Sequence, residues 1–142
     1  MEPIGLQPIG VVRSALTTTG QAPKQGPEAG LVSVIEIAPA WRQGLTGLAP
    51  GRDLWVIYHF HQAEATALLA HPRHDPARAL TGVFNTRSPK RPAHLGLTLV
   101  RLLQVEEGRL TVRGLEALDG TPVLDIKPYV PGLDQPAPLE EP

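Results

Sequence analysis

The side chains best suited to chemistry sit in three short stretches. In Val83 to Gly96 (VFNTRSPKRPAHLG), Arg87 leaves a short apolar run and two prolines flank Lys90 and Arg91. A guanidinium fork at Arg87 can hold a carboxylate or a phosphate, and the stiff prolines reduce the entropy lost when it does. A solvated basic loop accounts for the same residues without any ligand. In Tyr58 to Gln62 (YHFHQ), His59 and His61 share one side of an extended chain. A zinc site needs three or four protein ligands, and the chain has no cysteine to supplement its five histidines, so no metal is expected. His61 and Gln62 instead offer polar contacts to a small ligand, or simply end a strand. In Leu115 to Tyr129 (LEALDGTPVLDIKPY), Asp125 and Lys127 share a face, as an acid–base couple or as a plain surface ion pair.

These groups need a scaffold, and 142 residues with 42% hydrophobic and 19% charged content are enough for one domain with a single core. No apolar run approaches the roughly 20 residues that span a bilayer, and the start lacks the basic and apolar pattern of a secretory signal. A soluble, cytoplasmic protein without disulfides is the expectation. A formal net charge of -1 gives no general attraction to a polyanion, so any RNA contact must be local. The run Arg87, Lys90, Arg91 and Arg101, without an acid from Thr81 to Arg101, is the local candidate.

Sixteen prolines and fourteen glycines leave little room for long helices. Strands are expected at Ile9 to Ser14, Leu31 to Ile37, Leu54 to Phe60, from Gly82 to Asn85, and as one long bent strand over Leu95 to Glu106. That last segment alternates Leu97, Leu99, Arg101 and Leu103 with Thr98, Val100, Leu102 and Gln104. Ala63 to Ala70 (AEATALLA) predicts a helix of about two turns, and Trp41 to Leu48 a turn or single coil. Glu107-Gly108 should turn the chain into Arg109 to Leu115, and Asp119-Gly120 should turn it again into Pro122 to Ile126, making a meander. Residues 1–130 then form a mostly all-β domain, a sandwich or barrel, and residues 131–142 a Pro-rich acidic tail. The long stretch from Thr17 to Gly30 has no apolar period and is of the length that often carries function. No GxGxxG turn, GxxxxGK[ST] phosphate loop or GxSxG elbow is present, so the common nucleotide and hydrolase sites find no support.

The segments PIGVVRS (Pro8 to Ser14), IEIAP (Ile35 to Pro39), LWVIYHFHQ (Leu54 to Gln62), GVFNTRSPKRP (Gly82 to Pro92), GLT (Gly96 to Thr98) and DGTPVLDIKPY (Asp119 to Tyr129) together resemble the TsaA-like, or TrmO, family. They occur in the family's order and cover nearly all of the chain to Tyr129. The resemblance implies a single-sheet β-barrel with one or two short helices, a homodimer, and a methyltransferase that uses S-adenosylmethionine. It also implies the activity of members that methylate N6 of N6-threonylcarbamoyladenosine beside the anticodon of threonine tRNA. Carried over by position, the cofactor contacts fall on Pro23, Lys24, Gln25, His61, Gln62, Arg87, Leu97, Asp119, Gly120, Thr121 and Pro122.

In that setting Arg87 would pair with the methionine carboxylate, Leu97 and Pro122 would face adenine, and Asp119 would accept from the ribose or amino group. Asp125, Lys127 and Tyr129 are the candidates for assisting proton removal, and Lys90, Arg91 and Arg101 for holding the RNA backbone. Two departures bear on substrate choice. The family's RPNP pattern becomes Arg91-Pro92-Ala93-His94, which removes an amide at Ala93, and the chain stops soon after Tyr129 without the extension of larger members. A small-molecule or other-RNA methyltransferase, and a module that binds S-adenosylmethionine without turnover, are the alternatives.

Overall fold

A computed structural model of the chain describes residues 1–16 and 30–139. Six strands close a barrel in the order β1-β2-β7-β6-β3-β8, every neighbouring pair antiparallel. They are β1 (Gly10–Arg13), β2 (Val32–Ile37), β3 (Asp53–His59), β6 (Leu95–Glu106), β7 (Arg109–Arg113) and β8 (Pro122–Pro128). Two-residue strands β4 (Leu69–Ala70) and β5 (Thr81–Gly82) pair in a separate hairpin. Closure leaves the six-stranded sheet no free edge on which another chain could pair.

The alternation of the strands builds the core. Val12, Ile35, Ile37, Leu54, Val56, Tyr58, Val100, Leu102, Leu110, Val112 and Val123 all point inward. On β6 the inward set is Gly96, Thr98, Val100 and Leu102, so the leucine-rich row turns outward, with Leu95 and Leu97 exposed and Leu99 half-buried. A smaller set faces in because the interior is already filled from both sides by larger side chains. Gly96 sits directly beneath the Tyr58 ring, where a Cβ would collide with Cε2 and Cζ.

Three elements differ from the sequence reading. Ala63 to Ala70 forms no helix: it runs as irregular chain into β4, with Ala67 N–H donating to the Lys90 carbonyl at 2.8 Å. Good helix formers lose here because a two-turn helix gains little by itself, while the chain gains tertiary partners. Gly82 ends β5, and Val83–Asn85 is a 3-10 turn rather than a strand start. Asp119-Gly120 makes a tight turn, but not a hairpin, because β7 pairs with β2 and β6 whereas β8 pairs with β3 and β1. Between them the chain crosses the barrel end, where Leu115 and Ala117 plug the core at 0% and 3% exposure. Burying that apolar plug outweighs a local two-strand ribbon.

The turn into β7 and the length of β6 agree with the sequence. Glu107 and Gly108 turn β6 into β7 with φ of 48° and 77°, both left-handed, as a two-residue hairpin requires. β6 is long and carries an irregularity between Leu102 and Gln104. The segment after Ala38 is a 3-10 turn over Pro39–Leu45. Beyond β8, α1 (Pro131–Asp134) makes one helical turn, and residues 131–139 are exposed throughout.

In the middle of β6, Arg101 meets Asp53 through two bonds of 2.9 and 3.1 Å. Both side chains reach solvent, so the pair is screened and opposed by side-chain entropy. Asp53→Asn is therefore expected to leave the urea midpoint close to that of the unaltered protein, and a clear loss would make the pair structural.

Candidate active site

Antiparallel order brings the carboxyl ends of β1, β3 and β7 and the amino ends of β2, β6 and β8 to one rim. His61 and Gln62 follow β3, Arg87 and Leu97 flank the start of β6, and Asp119 to Pro122 lead into β8. Segments far apart in sequence thus meet by topology alone. Pro23, Lys24 and Gln25 lie outside the described residues.

The turn at Asp119 is fastened to the end of β1. Asp119 N–H donates to the Leu16 carbonyl at 2.6 Å, Gly120 N–H to Val12 at 2.8 Å, and the Asp119 carboxylate accepts from Ser14 N–H at 3.1 Å. Gly120 has φ of 85°, a conformation that suits glycine, and an added Cβ would lie 3.8 Å from His61 Nε2. The turn and His61 therefore face each other. Opposite, Arg87 Nη1 donates to the Leu97 carbonyl at 3.1 Å, joining two of the candidates directly. Arg87 is exposed, and Leu97 presents its side chain to the outside at 43% exposure.

The loop before β6 is rigid for local reasons. Arg91 Nη1 donates to the carbonyls of Thr86 at 2.9 Å and Ser88 at 3.2 Å, so this guanidinium braces the loop. His94 Nδ1 lies 2.9 Å from the Pro89 carbonyl and must donate to it, since a carbonyl only accepts. Its Nε2 lies 3.4 Å from Thr66 Oγ1, and its ring meets His59 edge-on with centroids 6.2 Å apart. Beside Ala93, His94 thus ties the loop to its surroundings. Lys90 is exposed, whereas Arg101 lies four residues beyond Leu97, about 13 Å along the strand, and is held by Asp53.

On the outer face, the register places Asp125 opposite Ile57 and Ile57 opposite Leu97. Asp125 is therefore two strand spacings, about 10 Å, from Leu97. Lys127 lies opposite Trp55, and Tyr129 approaches Trp55 with ring centroids 6.0 Å apart. Asp125 and Lys127 form an exposed ion pair at 3.8 Å. Asp125 is thus level with Leu97, while Tyr129 is farther down the barrel.

Sequence reasoning passed over three groups at the rim. Tyr58 is buried, with its hydroxyl 2.9 Å from Thr98 Oγ1. Burial pushes that hydroxyl's pKa up, with the Glu116 carboxylate adding to the rise, while the Thr98 bond and the Arg87 charge act the other way. Glu116 stands between the two plug residues, and burial pushes its carboxyl up to about 7. A threonine in the aliphatic face of β6 and an acid inside LEALDG were the available signals. Concavities of 320 and 360 Å³, lined in part by Gln104 and Arg109 and by Pro8 and Arg42, share no residue with this rim. Among the described residues no three His, Asp or Glu side chains gather as a metal-binding group.

Fold and rim together define a small closed antiparallel barrel that presents polar groups from several loops at one end. Residues 11–135 match the family described as tRNA-methyltransferase O N-terminal domain, and the chain belongs to this family. It is 45% identical to a probable S-adenosyl-L-methionine-binding protein of Methanothermobacter thermautotrophicus, over 92% of this chain and 93% of that one. Against the human tRNA (adenine(37)-N6)-methyltransferase the identity is 43%, over 69% of this chain but 22% of the human protein. The crystal structure of TrmO from Pseudomonas aeruginosa superposes with a TM-score of 0.80 at 36% identity, covering 98% of this chain and 61% of that one. The chain therefore spans about three fifths of the solved TrmO protein and nearly all of the archaeal relative.

Proposed function

We propose that this protein transfers the methyl group of S-adenosylmethionine to N6 of N6-threonylcarbamoyladenosine beside the anticodon of a tRNA. The observation that carries the reading is the Arg87–Leu97 contact on the same rim as the Asp119–Gly120 turn and His61. The guanidinium suits the methionyl carboxylate, and exposed Leu97 and half-buried Pro122 suit the adenine. Membership of the family and the activity named for the human relative point to the same chemistry.

In the transfer, the N6 lone pair attacks the methyl carbon, the carbon–sulfur bond breaks, and neutral S-adenosylhomocysteine leaves. The protein's main task is to align the nitrogen with that bond. The N6 proton then passes to a base or to water. Asp125 is level with Leu97 and is the best placed of the three candidates, with Lys127 next to it and Tyr129 farther off. Asp125→Asn is expected to lower kcat about tenfold while KM for the cofactor stays put. Unchanged kcat in all three of Asp125→Asn, Lys127→Met and Tyr129→Phe would leave positioning as the whole mechanism.

The tRNA backbone would meet Lys90, with Arg91 at the same loop and Arg101 farther along β6. Because phosphate contacts release counterions, tRNA affinity should fall steeply with salt, and Lys90→Ala should lower the slope of log K against log salt by about one. A homodimer in the cytoplasm completes the proposal. Exposed Leu68, Leu69, Leu80 and Phe84 near the β4–β5 hairpin support such an assembly, which sedimentation equilibrium would test.

The deciding experiment is labelled-methyl transfer to total tRNA from cells lacking the activity, beside calorimetric titration with S-adenosylmethionine. Transfer to the modified adenosine supports the proposal. Binding without transfer to any RNA supports a binding module, a reading favoured by the archaeal relative's name and length, or else a different methyl acceptor.

A further inference from the structure

Glu116 Oε1 is a buried side-chain oxygen without a hydrogen-bond partner among the described residues. Such an atom costs stability unless something supplies a donor. Its position suggests the donor. Glu116 belongs to the segment that crosses the barrel end, between buried Leu115 and Ala117 and three residues before Asp119. The Tyr58 hydroxyl feels both the Glu116 carboxylate and the Arg87 guanidinium. Side chains of opposite sign thus act on one buried hydroxyl, on the rim that carries the candidate cofactor contacts.

An α-amino acid carries an ammonium and a carboxylate on one carbon, and a site that grips both ends needs one side chain of each sign. We propose that Glu116 is a cofactor-binding residue: its carboxylate receives the α-ammonium group of the methionyl moiety while Arg87 holds the carboxylate. This assignment rests on the cofactor reading above. It gives the unpartnered oxygen its donor, and it makes the methionyl end, rather than the sulfonium, the charge that Glu116 recognises.

Binding should then be coupled to a proton. Burial raises the carboxyl to about 7, and no cation is among the causes of that shift. In the free protein at pH 7 the group is about half protonated, and an arriving ammonium favours the ionised form. Titrating S-adenosylmethionine into the unaltered protein at pH 7, in buffers of different ionisation enthalpy, should show about half a proton released per ligand bound.

The variant test uses three ligands on Glu116→Gln, which keeps the size of the side chain. S-adenosylmethionine and S-adenosylhomocysteine both carry the ammonium, and each should bind about ten- to a hundredfold more weakly, the equivalent of one charged hydrogen bond. 5′-Methylthioadenosine lacks the amino-acid end and should bind equally well to both proteins. A loss confined to S-adenosylmethionine would assign Glu116 to the sulfonium and overturn the ammonium contact. Unchanged affinity for both amino-acid ligands, or proton release that survives in the variant, would overturn it as well. If the unaltered protein binds none of the three, the cofactor reading itself fails, a result distinct from the others. The proton-release measurement needs no variant, so the proposal stays testable if Glu116→Gln folds poorly.

Discussion

Arg87→Ala is expected to weaken S-adenosylmethionine binding at least about a hundredfold. A guanidinium can meet a carboxylate through two parallel bonds, and charged hydrogen bonds contribute about 1.5–3 kcal/mol each, which together exceed the roughly 2.7 kcal/mol of a hundredfold change. The fold should be indifferent, because Arg87 is exposed and among the described residues its side chain makes one bond, to the Leu97 carbonyl. Thermal unfolding should therefore coincide with the unaltered protein while the titration shows the loss. Arg87→Lys should recover only part of the affinity, since an ammonium keeps the charge without the planar fork. An unchanged dissociation constant in Arg87→Ala would place the carboxylate elsewhere on the rim.

Gly96→Ala should be the most damaging small substitution in the barrel, costing about 3 kcal/mol, the upper end for an overpacked core. The added methyl meets the Tyr58 ring, which has nowhere to go: it is 2% exposed, its hydroxyl is bound to Thr98, and Phe60 packs edge-on at 5.3 Å. For a domain of this size the melting temperature should fall by about 6–12 °C. The site should suffer as well, because Gly96 precedes Leu97, whose carbonyl holds Arg87. Adding Tyr58→Leu should restore part of the stability by removing the ring. A single Gly96→Ala variant that unfolds with the unaltered protein would mean that the backbone of β6 can yield without cost.

Protonation gives an independent check on the barrel end. The Glu116 carboxyl is raised by burial from 4.5 to about 7. Between those values the folded state holds a proton that the unfolded chain has released, so Glu116 makes stability decline as pH rises from about 4.5 to 7 and then level off. Glu116→Gln should remove that decline and match or exceed the unaltered protein at pH 8, as followed by denaturant midpoints across the range. A steeper decline in the variant would reverse the assignment.

Much of the barrel was legible in the sequence where local and global demands agree. Val32–Ile37 and Asp53–His59 alternate cleanly and lie in the expected strands, and Glu107-Gly108 turns as its residue types suggest. The readings failed where a tertiary contact overrode a local preference. AEATALLA has helical composition, yet Ala67 bonds Lys90 and Leu69 pairs with Gly82. Asp119-Gly120 turns, but it joins strands that never pair, because Leu115 and Ala117 are needed to seal the core. Arg91 and Arg101 carry the charge expected of phosphate contacts, but the structure engages one in the loop and the other with Asp53.

By itself, the sequence determined the strand-forming segments, the family blocks and the types of side chain available for a ligand. Those are properties of residue type and spacing, which act over a few positions along the chain. The tertiary structure alone decided which of them share a rim, which face of β6 looks outward, and that Glu116 has a buried oxygen without a partner among the described residues. Strand order and closure set those relations, and they depend on burying one common core among segments as far apart as Val12 and Val123.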